Sequence, residues 1–143
     1  MLLDLSKNGL SDVIPTNLGR CSELLILNLA KNYLEGDIPE ELGTPTQLQT
    51  LNPNGNKLQG MITPSIGSCA KFKVFDIGNN RIQGSIPVWI GDLAELRILS
   101  LAFNNFQGTF LSELLRFGNL QVLNLSHNNL SGHVPQSLGS VTK

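Results

Sequence analysis

Apolar residues recur along this chain at a fixed step. Leu3, Leu27, Leu51, Phe75, Leu99 and Leu123 form one column, spaced by 24 residues. Leu10, Leu34, Leu58, Ile82, Phe106 and Leu130 form a second with the same 24-residue step. Ile14, Ile38, Ile62, Ile86, Phe110 and Val134 make a third, and Leu18, Leu42, Ile66, Ile90, Leu114 and Leu138 a fourth. The units are 1–24, 25–48, 49–72, 73–96, 97–120 and 121–143, with no insertion between them. A fixed period of this length marks a repeat architecture, in which no unit can bury its apolar face alone and stacking makes the core continuous.

Within a unit the pattern reads L-x-x-L-x-L-x-x-N-x-L-x-G-x-I-P-x-x-L-G-x-x-x-L. The L-x-L alternation predicts a short strand with one buried face. Asn8, Asn32, Asn56, Asn80, Asn104 and Asn128 follow it in every unit. A buried amide must be hydrogen-bonded, so these six are read as a structural ladder between units rather than a site. Gly36, Gly60, Gly84, Gly108 and Gly132 mark a fixed turn, where glycine frees the backbone. Ile-Pro is expected to open a second extended segment, with proline at its edge. The x-x-L-G-x-x-x-L remainder is too short for a long helix and predicts an irregular or 3₁₀ turn. A fuller α-turn is expected only at 112–117, where Leu111 and Leu115 replace the usual Pro and Gly. The fold class is thus a solenoid of six 24-residue repeats, mostly β with 3₁₀ or irregular turns, carrying a parallel sheet on its concave face. At the usual strand spacing its six strands span roughly 25 Å.

Composition narrows the function. The chain has 26 Leu and 15 Asn, but only 15% charged residues and a net charge of −1. That balance excludes electrostatic binding to nucleic acid, which needs a basic excess. Apolar runs are far shorter than the ~20 residues that span a bilayer, and the N-terminus has no basic region followed by an apolar stretch, so it does not read as a secretory signal.

Asn128-Asn129-Leu130-Ser131-Gly132-His133-Val134-Pro135 and Asn80-Arg81-Ile82-Gln83-Gly84-Ser85-Ile86-Pro87 resemble the plant-specific leucine-rich repeat with its L-x-G-x-I-P signature. The resemblance covers the whole chain. It implies an extracellular or plasma-membrane ectodomain of the kind found in receptor-like kinases and receptor-like proteins. Such a domain binds a peptide, glycan or co-receptor ectodomain on the inner sheet surface. Polygalacturonase-inhibiting proteins use the same repeat in defence, and a truncated remnant with scaffold value is a further alternative. No kinase motif, membrane segment or paired-Cys cap accompanies the repeats. The missing caps leave Leu3, Leu5 and Leu10 open at one edge and Leu123, Leu125 and Leu130 at the other. The expectation is a fragment or truncated product, the alternative being a small protein capped by a partner.

Side chains between the core leucines should face the concave surface, by the two-residue period of a strand. Asp4, Asn28, Asn52, Asp76, Ser100 and Asn124 give a polar column, flanked by Lys7, Lys31, Gly55, Asn79, Phe103 and His127. Gly9, Tyr33, Lys57, Arg81, Asn105 and Asn129 follow the ladder. These columns vary while the framework repeats. Lys31, Tyr33, Asp76, Arg81, Phe103 and His127 are the candidate ligand contacts, because aromatic and arginine side chains anchor interfaces. For Phe103 the competing expectation is packing against a neighbour such as Asn79 or His127.

Catalysis finds no support: His127 and His133 sit at unlike positions of one unit, and no metal-ligand spacing, nucleophile motif or phosphate loop is present. No cofactor or metal is expected. Cys21 and Cys69 occupy equivalent positions two units apart, about 9.6 Å at the strand spacing, too far for a disulfide. Their column also holds Leu93, Phe117 and Val141, so they read as buried apolar thiols. Asn124-Leu125-Ser126 and Asn129-Leu130-Ser131 are N-glycosylation acceptors if the chain is secreted. Trp89 is expected on the turn side as packing. The third unit departs most from the pattern. Pro53 replaces a core leucine in the strand and withholds a ladder donor, and Thr63 replaces the proline.

Overall fold

The computed structural model of the protein describes residues 1–110 and 112–140. Leu111 and Val141 therefore lie outside the described residues. Each unit contributes two short strands and one 3₁₀ turn. The first strands are β1 (Leu2–Asp4), β3 (Ile26–Asn28), β5 (Thr50–Asn52), β7 (Val74–Asp76), β9 (Ile98–Ser100) and β11 (Val122–Asn124). They form one parallel six-stranded sheet in chain order. The second strands are β2 (Ser11–Val13), β4 (Tyr33–Asp37), β6 (Lys57–Gln59), β8 (Gln83–Ser85), β10 (Asn105–Thr109) and β12 (Asn129–Ser131). They form two parallel three-stranded flank sheets, β2-β4-β6 and β8-β10-β12. Leu27, Leu51, Phe75 and Leu99 point from the main sheet into a core that Leu58, Ile82 and Phe106 close from the flank. Phe72 and Phe75 stack inside it, 5.4 Å between centroids.

Two expectations are corrected. The second strand runs before Ile-Pro, not after it, and Pro15, Pro39 and Pro87 instead precede the 3₁₀ turns Thr16–Arg20, Glu40–Gly43 and Val88–Asp92. Proline's fixed φ and missing N–H suit the start of a helical turn, whose first N–H groups have no partner. In the third unit the turn starts one residue later, with Pro64 as its first residue after Thr63. Ser112–Leu115 is also a 3₁₀ turn rather than a fuller α-turn. The turn is four residues long, a length that short i→i+3 turns commonly take and barely one turn of α-helix. Successive turns pack backbone to backbone, which explains the glycine in the L-G pair. A Cβ on Gly19 would overlap the Glu41 carbonyl, and one on Gly43 the Ser65 carbonyl.

The asparagines join the units. Asn104 Oδ1 accepts the Ile82 N–H at 2.9 Å, and its Nδ2 donates to the Ile77, Leu101 and Ala102 carbonyls. Asn32, Asn56, Asn80 and Asn128 repeat this arrangement, each accepting from one N–H of the preceding unit and donating to one of its carbonyls. Asn8, in the first unit, is exposed, and among the described residues it donates to the Leu5 and Ser6 carbonyls of its own unit.

Unit three meets unit four differently from the others. Leu5, Leu29, Ile77 and Leu101 each donate an N–H to a carbonyl of the next strand, whereas Pro53 has none to offer Asp76. The β5–β7 register is correspondingly short, Thr50 with Val74 and Leu51 with Phe75 only. The flank sheet also divides here, between β6 and β8. On the turn side Trp89 lies over Gly67, leaving 2.9 Å between its ring atoms and a Cβ built there.

Asn104→Ala is expected to cost about 2–4 kcal/mol, because it orphans buried backbone groups in two units. Asn8→Ala should change stability by less than about 0.5 kcal/mol. Denaturant unfolding of the two variants measures the contrast. Pro53→Leu should restore the bond to Asp76 and add core volume, stabilising the protein by about 1 kcal/mol. Calorimetry would then show a thermal midpoint higher by a few degrees.

Candidate functional site

One residue per unit turns the chain out of the main sheet, and its backbone is left-handed. Lys7, Lys31, Asn79, Phe103 and His127 have φ of 56°, 58°, 53°, 55° and 53°. Gly55 fills the same place in unit three with φ 72°. For residues other than glycine this conformation costs roughly 1–2 kcal/mol. At every one of these positions but His127 the sheet enforces it, because the residue still donates its N–H to the next unit: Lys31 to Asn54 at 2.7 Å, Phe103 to Ser126 at 3.0 Å. The bend lets the following asparagine enter the core.

The bend also separates residues that a two-residue period places on one face. Asp76 stays on the main sheet, where Oδ1 accepts from Asn54 Nδ2 at 2.9 Å and from the Gly78 N–H. Lys31, Phe103 and His127 occupy the bend itself. Tyr33 opens β4 on the flank, and Arg81 lies just before β8. Thus Tyr33 and Arg81 do not share the main-sheet face with Asp76. The structure brings Phe103 and His127 together, with rings stacked at 4.0 Å and 11°. Phe103 remains 48% exposed in that stack. Tyr33 instead meets Lys57, whose Nζ lies 5.5 Å from the ring centroid.

Sequence reasoning missed an apolar row on the outer face of the main sheet. Leu2, Ile26, Val74, Ile98 and Val122 alternate with the core leucines, and Leu2 and Val122 are 63% and 46% exposed. It was legible as a further apolar column, Thr50 being its one polar member.

The flank sheets have their own geometry and unlike chemistry. Main-sheet partners are 24 residues apart, as in Leu27 with Leu51. Flank partners are 22 apart: Gln83 with Asn105, Gln107 with Asn129, Glu35 with Lys57. The flank strands slip by two residues per unit, so unlike columns become neighbours. Outward from β2-β4-β6 stand Tyr33, Glu35, Asp37 and Lys57. Over β8-β10-β12 the outward residues are amides and hydroxyls, including Gln83, Ser85, Asn105, Gln107, Thr109, Asn129 and Ser131. An open groove of about 630 Å³ lies there, lined by Met61, Gln83, Gly84, Asn104, Asn105, Gln107, His127, Asn128 and Asn129.

The remaining groups are quieter. Cys21 and Cys69 are free thiols. Cys69 is buried against the Leu42 carbonyl, Sγ to O 3.4 Å, and burial pushes its thiol up to about 11. Hydrogen bonds from the Ser6 hydroxyl and N–H hold the exposed Asp4 carboxyl below its ordinary value. Asn124 is exposed on β11, its Oδ1 accepting from Ser126 Oγ at 2.8 Å, and Asn129 is exposed on β12. Among the described residues, no group of three His, Cys, Asp or Glu could hold a metal ion. No helix among them is long and apolar enough to cross a membrane.

Residues 1–21, 23–44, 71–93 and 119–141, more than half the chain, match the family model described as Leucine Rich Repeat, and the chain belongs to that family. Among solved structures it is similar to the plant peptide hormone receptor RGFR1 in complex with RGF2. That match has 33% identity and TM-score 0.95, over 99% of this chain and 23% of that one. The BIR3–SERK2 complex from Arabidopsis thaliana matches at 39% identity and TM-score 0.80, over 91% of this chain and 69% of that one. A plant ice-binding protein matches at 28% identity and TM-score 0.91, over 96% of this chain and 45% of that one. The chain thus spans about a quarter of the length of the peptide hormone receptor. No curated protein matches it.

A double-mutant cycle tests the aromatic pair. Phe103→Ala and His127→Ala should be non-additive in unfolding free energy by about 1 kcal/mol, the worth of a stacked pair. Additive effects would show that the rings only lie side by side.

Proposed function

We propose that this chain is a ligand-recognition module for an extracellular peptide or protein, co-receptor ectodomains included. The site runs over the main-sheet face and the bend beside it, and Lys31, Asp76, Phe103 and His127 supply its contacts. The observation that carries this reading is the bend column. Lysine, asparagine, phenylalanine and histidine side chains are held outward there, and sheet hydrogen bonds fix the backbone at Lys7, Lys31, Asn79 and Phe103. A preorganised array of varied side chains loses little entropy on binding. The apolar row from Leu2 to Val122 supplies the desolvated contact area beside it. Tyr33 and Arg81 serve a partner that wraps onto the flank. The solved relatives support the reading, since one is a plant peptide hormone receptor in complex with RGF2 and another is a complex of BIR3 with SERK2. The module works by binding rather than catalysis and lies outside the cell.

The test is selection from a displayed random-peptide library against the purified protein, followed by biolayer interferometry with the selected peptide. Phe103→Ala and Asp76→Ala should each weaken binding about tenfold or more, the effect of ~1.4 kcal/mol at an interface anchor. Circular dichroism should be unchanged. A library that yields no binder, or a binder indifferent to both variants, would end the proposal.

A further inference from the structure

We infer that the groove over β8, β10 and β12 is a binding site for a neutral oligosaccharide. The inference stands apart from the main-sheet reading, because its amides are not among that reading's contacts and the two surfaces share His127 alone. Four exposed amides converge on the groove in two cross-strand pairs, Gln83 beside Asn105 and Gln107 beside Asn129. Among the described residues, the side chains of this flank make one hydrogen bond, Ser131 Oγ to the Gly108 carbonyl at 3.4 Å. The amides therefore keep their donors and acceptors free for a ligand.

The chemistry of the lining selects the class. A sugar hydroxyl both gives and accepts a proton in hydrogen bonds, and a carboxamide offers both functions in one plane. Carboxylates only accept and ammonium groups only donate. No Asp, Glu, Lys or Arg lines this groove, whereas the equivalent flank over β2, β4 and β6 carries Glu35, Asp37 and Lys57. The amides of a pair stand about 4.8 Å apart across the strands, and the second pair is offset by two residues along β10, about 6.6 Å, a spaced array that favours a ligand whose hydroxyls also repeat along a chain. The floor is rigid, because Asn104 and Asn128 spend their amides on the ladder. At the rim, His127 is held by its stack on Phe103. Met61, 65% exposed, offers an apolar surface to the C–H face of a sugar ring. The volume of about 630 Å³ suits a few sugar units.

The experiment is calorimetric titration of the whole chain, made in bacteria so that Asn129 carries no glycan, with cellohexaose, xylohexaose, mannohexaose and hexagalacturonate. At least one neutral hexasaccharide should bind, equally at low and high salt, since no charge is engaged. Asn105→Ala and Gln107→Ala, both at exposed positions, should each weaken that binding about tenfold. Lys57→Ala, on the charged flank, should leave it unchanged. The inference is overturned if no neutral hexasaccharide binds, if only hexagalacturonate binds, or if the two amide variants bind as well as the parent chain. Inhibition of ice recrystallisation that the same variants lose, without any sugar binding, would assign the array to ice and overturn it as well. A failed titration beside a successful peptide selection would leave the main-sheet reading standing, so the two proposals fail separately.

Discussion

The buried asparagine amide is the constraint on which this architecture depends. A strand that ends by turning into the core carries carbonyls and N–H groups away from water, and each needs a partner. One carboxamide supplies an acceptor and two donors at that point. In Asn104 the oxygen takes an N–H of the preceding unit, while the nitrogen serves carbonyls of both units. Each amide therefore satisfies the unit before its own. Stability is then a sum of nearest-neighbour terms with a direction. The exposed Asn8, which among the described residues bonds within its own unit, shows the same side chain without that role.

The framework was legible in the sequence because each of its positions is chemically restricted. Only apolar residues fill the core, only a short amide fits the ladder, and only glycine admits the close approach at Gly19 and Gly43. The bend was not legible, because its conformation is imposed by sheet hydrogen bonds and not by side-chain preference. Lys, Gly, Asn, Phe and His all occur there. Because the chain turns at this left-handed residue, a two-residue count does not carry the face of Asp76 on to Tyr33 and Arg81. The flank register was hidden for a related reason. One period of 24 residues in sequence yields offsets of 24 in the main sheet and 22 in the flank. Sequence alone thus gives no sign that Gln83 faces Asn105.

Conservative framework and divergent surface are two sides of one energetic fact. Exposed substitutions away from special backbone positions change stability by only about 0.5 kcal/mol. The flanks can therefore take on unlike chemistry without disturbing the ladder beneath them. Arg81, just before β8, is the last charged outward residue of the flank, and from Gln83 to Ser131 the outward residues are neutral.

Phe103 and His127 show how the bend bears on function. A bulky ring in the left-handed region costs roughly 1–2 kcal/mol, and both residues adopt it at adjacent positions. Stacking returns on the order of 1 kcal/mol, less than the strain of the two residues together, so the pair is a net cost to folding. Glycine, as at Gly55, would avoid the strain altogether. A costly conformation kept with an aromatic ring half exposed, where a cheaper residue serves the fold, is what strain held at a contact surface looks like. The same stack steadies His127 at the rim of the flank groove. One pair of rings thereby couples the main-sheet edge to the amide array, and a ligand on either surface would meet the same fixed imidazole.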